Sequence, residues 1–494
     1  MAGLQQQIEK EIYGGLIPTL KNERTFGFWD MLMVCSALGI ATWCYVQGGF
    51  LGYYLNLKEI FFNSIFGITL GCSIVFIPVF ISARYGIDLA VFMRAVFGYR
   101  GVVVFIVATY FLTFGFEAIN CQMFGNSMTK LAAAAGLNLP GYAGPIFGVI
   151  CAILGWLIAL NGPEAVKKVN WVMVPCLLLV ALFIVIMVFK DNTISKLMAI
   201  QPPGAGEYGG KFTTYMIAIE WNIAFAISWV NAIGSLPKLA KSERGGYWAF
   251  VLGAGTVMAL FIFVGALTGL VMAGQTGVIS DDPTEWLVTL GGPGLGVLSL
   301  VMIGMANVST QSVILYVVSL STKVANPKWD YKKLVTFWTV YCSILVVWGG
   351  VWTYYGTFIS VVGVASGPIL GLILVDFFLL RKQKISLYSI FKLKGHYSYE
   401  YTGGFNLAAV LSMFVGILCF VAVYNPIAYT VRSSVFYFTT ATGLALVTTA
   451  LTYYILGQVK PIRNYLLKDR TDKLAYVRKN NDGISSGVSL STKA

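Results

Sequence analysis

The residues best suited to bind an ion lie in the middle of two long apolar segments. Ala37 and Ile40 are central in the first segment, and Ala306, Ser309 and Thr310 are central in the eighth. Hydrocarbon offers no hydrogen-bond partners, so polar groups and irregular backbone at that depth are tolerated only where they line a cavity or bind something. Hydroxyls and freed carbonyls are what a dehydrated sodium ion needs, whereas divalent cations prefer carboxylates.

Two glutamates, Glu117 and Glu220, lie near the middle of the third and sixth apolar segments. An ionisable group at that depth costs about 3 kcal/mol and is a functional candidate by default. Thr113 precedes Glu117 by four residues, so the two share one helix face. Three interpretations stay open: a glutamate accepts substrate N–H groups or pairs with a cationic ring, it stays protonated and donates or shuttles a proton, or it bonds the freed backbone of a broken helix.

Other chemistries are excluded by the residue inventory. The single histidine, His396, excludes a histidine triad or a histidine metal site. All eight cysteines fall within apolar segments, which predicts no structural disulfide and no zinc site. No glycine–lysine phosphate loop is present, so ATP is not expected to drive the protein, and an enzyme is not expected. A channel would need a continuous polar stripe, whereas the polar groups here concentrate at mid-depth.

The composition predicts an integral membrane protein. Of the 494 residues, 57% are hydrophobic and 11% are charged, whereas soluble chains carry about a quarter charged residues. Because about 20 apolar residues span a bilayer, we predict twelve transmembrane helices: 29–54, 59–82, 102–131, 143–163, 169–189, 213–240, 247–274, 294–322, 334–355, 357–380, 406–424 and 433–457. Residues 1–28 and 458–494 would be cytoplasmic segments flanking this transporter domain at 29–457.

The net charge of +13 is explained by topology rather than by binding to nucleic acid. With the N-terminus inside, only six of the 34 Lys and Arg residues fall on exterior loops or their edges: Lys58, Lys130, Lys190, Lys196, Lys211 and Arg432. This positive-inside bias predicts that both termini are cytoplasmic. We therefore expect a multi-pass protein of the plasma (inner) membrane, in contact with lipid and monomeric.

Segments one and six are irregular at mid-depth. Segment one contains Ser-Ala-Leu-Gly-Ile-Ala-Thr at 36–42, and segment six combines Asn231, Gly234 and Pro237. Glycine tolerates non-helical torsions and proline removes a donor, so both helices are candidates for a break. Two interrupted helices five segments apart are typical of an inverted-repeat transporter. The alternative is that the small residues only allow close helix packing.

Loop motifs identify a family that the chain resembles. They include Glu-Arg-Thr at 23–25, Arg-Tyr-Gly-Ile-Asp at 84–88, Phe-Gly-Tyr-Arg-Gly at 97–101, Ser-Gly-Pro-Ile at 366–369 and Val-Asp-Phe-Phe-Leu-Leu-Arg-Lys at 375–382. In combination they are similar to nucleobase–cation symporter family one, in particular to its bacterial hydantoin and allantoin branch, over about residues 20 to 460. The resemblance implies twelve helices with a LeuT-like five-plus-five core, and transport of nucleobases or related heterocycles coupled to Na⁺ or H⁺.

The resemblance carries over a complete sodium site. In the hydantoin branch, carbonyls of an alanine and an isoleucine in helix one, and an Ala-x-x-Ser-Thr motif in helix eight, hold Na⁺. The matching positions here are Ala37 and Ile40, and Ala306, Ser309 and Thr310. All five residue types agree. The alternative for Ser309 and Thr310 is that each bonds back to a carbonyl of its own helix.

The substrate site matches less well. Thr113 stands where the hydantoin branch has a stacking tryptophan, and Glu117 stands where it has a glutamine. The helix-eight asparagine that contacts substrate is replaced by Leu315, and Gln311 is the candidate to take over part of its role. In helix six the alignment leaves two possibilities, Trp221 beside Glu220, or Phe225. A carboxylate in place of an amide favours donor-rich or cationic substrates.

Together these features predict a Na⁺-coupled symporter that imports a small nitrogen heterocycle, such as a nucleobase, a hydantoin or allantoin, or a vitamin-like compound, by alternating access. Two alternatives stay open. One is a H⁺-coupled transporter of the same substrates that uses Glu117 or Glu220. The other is a carrier of a cationic amine-type substrate.

Overall fold

Long helices make up most of the molecule. The structure, a computed structural model, describes residues 17–161, 163–190, 192–230, 233–234, 236–277, 280–391 and 399–467. We number the main helices α1 (two halves, Phe28–Gly39 and Thr42–Gly52), α2 (Leu57–Tyr85), α3 (Val102–Ala134), α4 (Ala143–Leu160), α5 (Pro163–Lys190), α6 (Lys211–Ser228), α7 (Glu243–Gly274), α8 (Gly294–Thr322), α9 (Tyr331–Trp348), α10 (Tyr355–Leu380), α11 (Leu407–Val423) and α12 (Ala441–Gln458).

Short elements connect these helices. Those that are α-helical are Leu89–Phe97, Ile194–Ala199, Pro283–Gly291, Gly350–Thr353, Leu387–Phe391, Phe436–Thr439 and Lys460–Leu466. Two 3₁₀ turns lie at Lys21–Glu23 and Leu236–Leu239. Strands β1 (Tyr424–Asn425) and β2 (Thr430–Val431) form an antiparallel hairpin between α11 and α12. Several long helices contain π-helical turns, at Phe62–Ile68, Val107–Phe111, Phe250–Thr256, Gly292–Gly296 and Val375–Leu380.

Within the described residues, six helices are long and apolar enough to cross a bilayer alone: α2, α3, α4, α7, α8 and α10. A seventh is added if Ala441–Gln458 and Lys460–Leu466, which bend by 102°, count as one span. The first segment fails on length because its break leaves halves of 12 and 11 residues. The prediction of a membrane-spanning helical protein is therefore confirmed, while the number of twelve spans stays a prediction.

Contacts between distant segments define two ends of the molecule. At one end, which we call the basic end, Arg84 pairs with Glu243 at 2.6 Å. At the other, which we call the distal end, Lys130 pairs with Asp282 at 3.4 Å. The segments that meet at each end are those that the charge bias assigns to the interior and to the exterior, respectively. Which end faces the cytoplasm stays a prediction.

The second half of α1 packs directly on α7, backbone to backbone. A Cβ atom on Gly48 would lie 2.2 Å from the carbonyl oxygen of Ile262, and one on Gly265 would lie 2.5 Å from that of Tyr45. Small residues at such crossings let two helices approach closely, which is a main source of helix association in membranes. The two helices are therefore held as one unit. A second group is formed by α3, α4, α8 and α9, which pack against one another.

A fully buried ion pair joins several elements at the basic end. The guanidinium of Arg381 donates from Nε to Asp376 at 2.6 Å, and it also donates to the carbonyl oxygens of Ala95 and Leu466. The hydroxyl of Tyr453 donates to the other oxygen of Asp376 at 2.9 Å. The Val-Asp-Phe-Phe-Leu-Leu-Arg-Lys motif therefore connects α10 to α12 and to the helix at Leu89–Phe97.

We expect Asp376→Asn to lower the free energy of unfolding by about 3 kcal/mol, because it leaves the buried charge of Arg381 without its counter-ion. The matched control is Glu243→Gln, which breaks a pair whose side chains are both 33% exposed and should cost at most about 1 kcal/mol. Unfolding of the purified protein in detergent, followed by heat or by denaturant, measures both. Equal losses in the two variants would contradict this assignment.

Candidate substrate and ion site

The first helix is interrupted at the depth that the sequence predicts. The N–H of Ile40 still donates to the carbonyl oxygen of Ser36 at 3.1 Å. Ile40 then leaves the helical region with ψ of 54°, and Ala41 is extended with φ of −104° and ψ of 146°. The helix begins again at Thr42. A break of this kind releases carbonyls of the preceding turn, which includes Ala37, from the helical hydrogen-bond ladder.

Polar side chains from α3 and α8 meet the chain immediately after this break. The hydroxyl of Thr42 lies 2.7 Å from Oδ1 of Asn307 and 3.1 Å from Oδ1 of Asn120. The amide of Asn120 donates to the carbonyl oxygen of Asn307 at 2.8 Å. All three side chains are buried. Sequence reasoning missed Asn307, although its position next to Ala306 was a signal that could have found it.

The predicted cation ligands of α8 lie beside this network. Ala306 and Ser309 are buried and Thr310 is half-buried. The hydroxyl of Ser309 is buried and has no hydrogen-bond partner among the described residues, so it does not bond back to its own helix. Its carbonyl oxygen does accept such a bond, from Ser312 at 2.7 Å. A buried hydroxyl without a partner fits an oxygen donor reserved for a ligand.

Acidic or thiolate metal chemistry is not available at this place. Within the described part of the chain, no group of three or more His, Cys, Asp or Glu side chains is arranged to hold a metal ion. The donors near the break are neutral hydroxyl, amide and carbonyl oxygens. This donor set suits a monovalent cation better than Mg²⁺ or Ca²⁺, which favour carboxylates.

Five aromatic rings gather next to the same network, and we call them the central aromatic cluster. They are Trp43, Phe116, Phe225, Trp229 and Phe358. Phe116 contacts Phe358 and Phe225 edge to face, with ring centres 4.9 Å and 5.4 Å away. Trp43 lies 6.1 Å from Phe116 and 6.3 Å from Trp229. Because Trp43 follows Thr42 and Phe116 lies one turn before Asn120, the cluster and the polar network are adjacent.

Of the two helix-six possibilities, Phe225 belongs to this cluster and Trp221 does not. Trp221 is fully buried nearer to the distal end. Its ring contacts Phe50 at 4.7 Å, Tyr54 at 5.3 Å and Tyr429 at 5.4 Å. Its environment is aromatic packing between α1, α6 and the hairpin of β1 and β2.

Glu220 is placed where it supports the fold. Its carboxylate accepts hydrogen bonds from the N–H of Ala441 at 2.8 Å and from the N–H and hydroxyl of Thr442 at 3.0 Å and 2.5 Å. These groups belong to the first turn of α12, whose N–H groups have no partner within their own helix. A carboxylate is favourable at a helix N-terminus. This geometry favours the structural interpretation of Glu220.

Glu117 has a different environment. It is 2% exposed, and its Oε2 has no hydrogen-bond partner among the described residues. The thiols of Cys121 and Cys342 lie within range of its charge, and they are 3.9 Å apart. Thr113, one turn earlier, is half-buried and donates to the carbonyl oxygen of Thr109 at 2.6 Å. The carboxyl of Glu117 is therefore a buried acid whose second oxygen is available.

Gln311 has neighbours in α4 and α9, and its Oε1 has no hydrogen-bond partner among the described residues. Its amide nitrogen lies 3.5 Å from the sulfur of Cys342 in α9. A Cβ atom on Gly155 of α4 would lie 2.5 Å from its Cγ. The structure therefore places Gln311 between α4, α8 and α9, and its contact with substrate stays a prediction.

A second polar network was not foreseen from the sequence. The amide of Gln47 donates to Asn222 at 3.2 Å and its oxygen accepts from the hydroxyl of Tyr355 at 2.8 Å. Asn222 in turn donates to Oδ1 of Asn63 at 2.8 Å. These residues come from four helices, and nothing in their spacing along the chain predicts that they meet.

A broken first helix, a sixth helix that ends at Ser228, and a polar and aromatic site between them are the arrangement expected of a membrane transporter of small molecules. The sequence profile of one family, described as permeases for cytosine/purines, uracil, thiamine and allantoin, matches residues 18–453. The chain belongs to this family, nucleobase–cation symport family one. Its members are permeases and not enzymes.

Known relatives agree with this assignment. The purine-uracil permease of Arabidopsis thaliana is 24% identical over 423 residues, which cover 82% of this chain and 70% of the relative. The hydantoin permease of Microbacterium maritypicum is 24% identical over 407 residues, which cover 77% and 79%. A nucleobase-cation-symport-1 family transporter, solved in a closed conformation with bromovinylhydantoin bound, superposes with a TM-score of 0.71 at 19% identity, covering 92% of this chain and 95% of the other. The LeuT-like fold is therefore confirmed.

We expect Glu220→Ala to lower the free energy of unfolding by about 3 kcal/mol, because three buried donors of α12 lose a charged acceptor. Thr442→Val removes one of these donors alone and should cost about 1 kcal/mol. The melting temperature in detergent measures both. If Glu220→Ala melted like the unchanged protein but bound substrate less tightly, its carboxylate would act on the substrate instead.

Proposed function

We propose that this permease is a Na⁺-coupled symporter that imports a small nitrogen heterocycle by alternating access, across the plasma (inner) membrane with both termini cytoplasmic. The observation that carries the proposal is the buried hydroxyl of Ser309, which has no partner among the described residues and lies on α8 beside the break in α1. A hydroxyl in this place can complete the coordination of an ion, because the broken helix beside it offers carbonyl oxygens that have left the helical ladder.

The ion would be held by five neutral oxygens. The carbonyls of Ala37 and Ile40 come from the broken turn of α1, and the carbonyl of Ala306 and the hydroxyls of Ser309 and Thr310 come from α8. The polar contacts of Thr42 with Asn120 and Asn307 already bring these helices together. Occupancy would favour the conformation in which α1 and α8 are joined. The ion and the substrate would then raise each other's affinity by the same factor.

The substrate would bind in the central aromatic cluster. A flat ring can stack on Trp43, Phe116 or Phe225, while Nδ2 of Asn307, which has no hydrogen-bond partner among the described residues, can donate to a ring nitrogen or carbonyl oxygen. The relatives are named for purines, uracil, hydantoin and allantoin, all of which are small, nitrogen-rich rings. The chemistry of the cluster supports a ligand of this class.

Helix packing supports a rocking motion between two units. The backbone contacts between α1 and α7 make one unit, to which α2 and α6 would belong, and α3, α4, α8 and α9 make the other. The ion and the substrate would sit where the units meet. If the ion and the substrate bind more tightly to the conformation in which the two units are joined, their binding shifts the population between outward-open and inward-open forms.

A second candidate is coupling to H⁺ through Glu117. It is favoured by one observation, the buried Oε2 of Glu117 that has no partner among the described side chains and backbone groups. The same carboxylate would suit a cationic amine-type substrate. Glu220 is less suited to either role, because both of its oxygens accept hydrogen bonds from α12.

We expect Ser309→Ala to weaken Na⁺ affinity about tenfold or more. The substitution removes an oxygen ligand, and a buried site has no room for a water molecule to take its place. The measurement is substrate uptake into proteoliposomes as a function of external Na⁺, with K⁺ as the replacing ion. Ser319→Ala is the matched control, since the hydroxyl of Ser319 is also buried without a hydrogen-bond partner among the described residues but lies almost three turns further along α8. Equal uptake in Na⁺ and K⁺ by the unchanged protein would overturn sodium coupling.

We expect Glu117→Gln to leave the Na⁺ dependence of uptake unchanged while lowering affinity for donor-rich or cationic heterocycles about tenfold, because an amide cannot supply the negative charge. Uptake driven by a pH gradient alone, in proteoliposomes without Na⁺, is the comparison. If such uptake occurred, survived Ser309→Ala and disappeared in Glu117→Gln, the protein would be H⁺-coupled.

A further inference from the structure

A cavity opens at the distal end, separate from the ion ligands and from the central aromatic cluster. Its volume is about 260 Å³. The residues that line it come from the end of α1, from α7 and from the connection after α7: Gly49, Phe50, Tyr53, Tyr54, Gly269, Ala273, Ser280 and Asp281. The lining therefore combines three aromatic rings with a single carboxylate.

The carboxylate of Asp281 is held in a fixed orientation at the rim of this cavity. Its Oδ1 accepts a hydrogen bond from Nε1 of Trp352 at 3.0 Å. The preceding residue, Ser280, is also held in place, because its carbonyl oxygen accepts a hydrogen bond from Nε1 of Trp286 at 2.9 Å. Gly49 allows this close packing, because a Cβ there would lie 2.8 Å from the Cα of Asp281. Oδ2 has no side-chain partner within the described residues.

A continuous series of rings leads from the cavity to the central aromatic cluster. Phe50, in the cavity wall, contacts Tyr355 with ring centres 5.2 Å apart. Tyr355 lies 6.2 Å from Phe358, which in turn lies 4.9 Å from Phe116. Aromatic faces tolerate flat molecules of many kinds, because stacking does not depend on a specific hydrogen-bond pattern. The two sites are therefore connected by packed aromatic side chains.

We propose that this cavity is a vestibule site that binds a flat organic cation, such as an amidinium or a protonated aminopyrimidine, with its N–H groups on Oδ2 of Asp281 and its ring against Tyr53 and Phe50. A carboxylate beside aromatic faces is a favourable environment for a planar cation, through charge-assisted hydrogen bonds and cation–π attraction. Binding at this site goes beyond the proposed function. If the site also holds substrate before it enters the central aromatic cluster, that role depends on the proposed function.

The charge of Asp281 changes between pH 5 and pH 7.5, a range in which binding can be measured. Burial, with a smaller contribution from the nearby charges of Asp282 and Glu285, raises its pKa to about 6 against the opposing hydrogen bond from Trp352. The other ionisable groups that the structure describes at this place are the phenols of Tyr53, Tyr54 and Tyr355, the carboxylate of Glu207 beside Tyr53 and Tyr54, and the ammonium of Lys130, which pairs with Asp282. Asp281 is therefore ionised at pH 7.5 and mostly neutral at pH 5. A cation should bind about tenfold more weakly at the lower pH.

The test uses 4-fluorobenzamidine, a planar cation, and 4-fluorobenzamide, its neutral counterpart, with the full-length protein in detergent. Fluorine NMR line broadening reports binding of each probe at pH 7.5 and at pH 5. We expect the cation to bind at least tenfold more tightly than the neutral probe at pH 7.5, and to lose this advantage at pH 5. Asp281→Asn keeps an oxygen for Trp352 but should abolish both the preference and its pH dependence.

Glu285→Gln is the matched control, because it removes one negative charge from the same region without lining the cavity, and it should leave binding of the cation within twofold. If Asp281→Asn does not fold, Tyr53→Leu replaces it and should weaken both probes while keeping the pH dependence. Unchanged binding in Asp281→Asn, or loss of binding in Phe225→Ala instead, would overturn the proposal. The assay measures binding without transport. A negative result would therefore not contradict the proposed symport, and a lack of Na⁺ coupling would not contradict this binding site.

Discussion

The break in the first helix is the feature on which the rest of the site depends. Backbone carbonyls that leave the helical ladder within a membrane have no water to bond, so other parts of the protein or a ligand must satisfy them. The structure surrounds the break with the side chains of Thr42, Asn120 and Asn307, and with the hydroxyl of Ser309. The cation site that we propose rests on this arrangement.

The two mid-membrane glutamates show how environment separates one residue type into two roles. Both are almost fully inaccessible to solvent. The carboxylate of Glu220 meets the unsatisfied N–H groups of α12 and acts as part of the fold. The carboxyl of Glu117 meets thiols and keeps one oxygen without a partner among the described groups. Burial alone therefore does not separate a functional carboxylate from a structural one. The hydrogen-bond donors around each carboxylate make the difference.

Rigid connections concentrate at the two ends and along one helix pair, which leaves the middle able to change. At the basic end the buried pair of Arg381 and Asp376 ties three elements together. Along α1 and α7 the backbones touch through glycines, so the two helices can only move as one body. Between these fixed regions lie neutral polar groups and aromatic faces. Contacts of this kind can be exchanged between two arrangements at a modest cost in free energy.

The sequence by itself determined the class of protein and the position of the first break, and it is the source of the prediction for the residues that would bind an ion. Three properties can be read from the sequence directly: the length of the apolar segments, the uneven distribution of Lys and Arg between loops, and the residues at 36–42. The first two have a direct physical meaning in a bilayer. The tertiary structure alone decided which side chains meet. It placed Phe225 rather than Trp221 in the central aromatic cluster, turned Gln311 towards α9, assigned Glu220 to α12, and brought Asn307 to Thr42. These outcomes depend on how helices far apart in the chain rotate and cross, because helical spacing fixes the face that a residue shares but not the partner that the face receives.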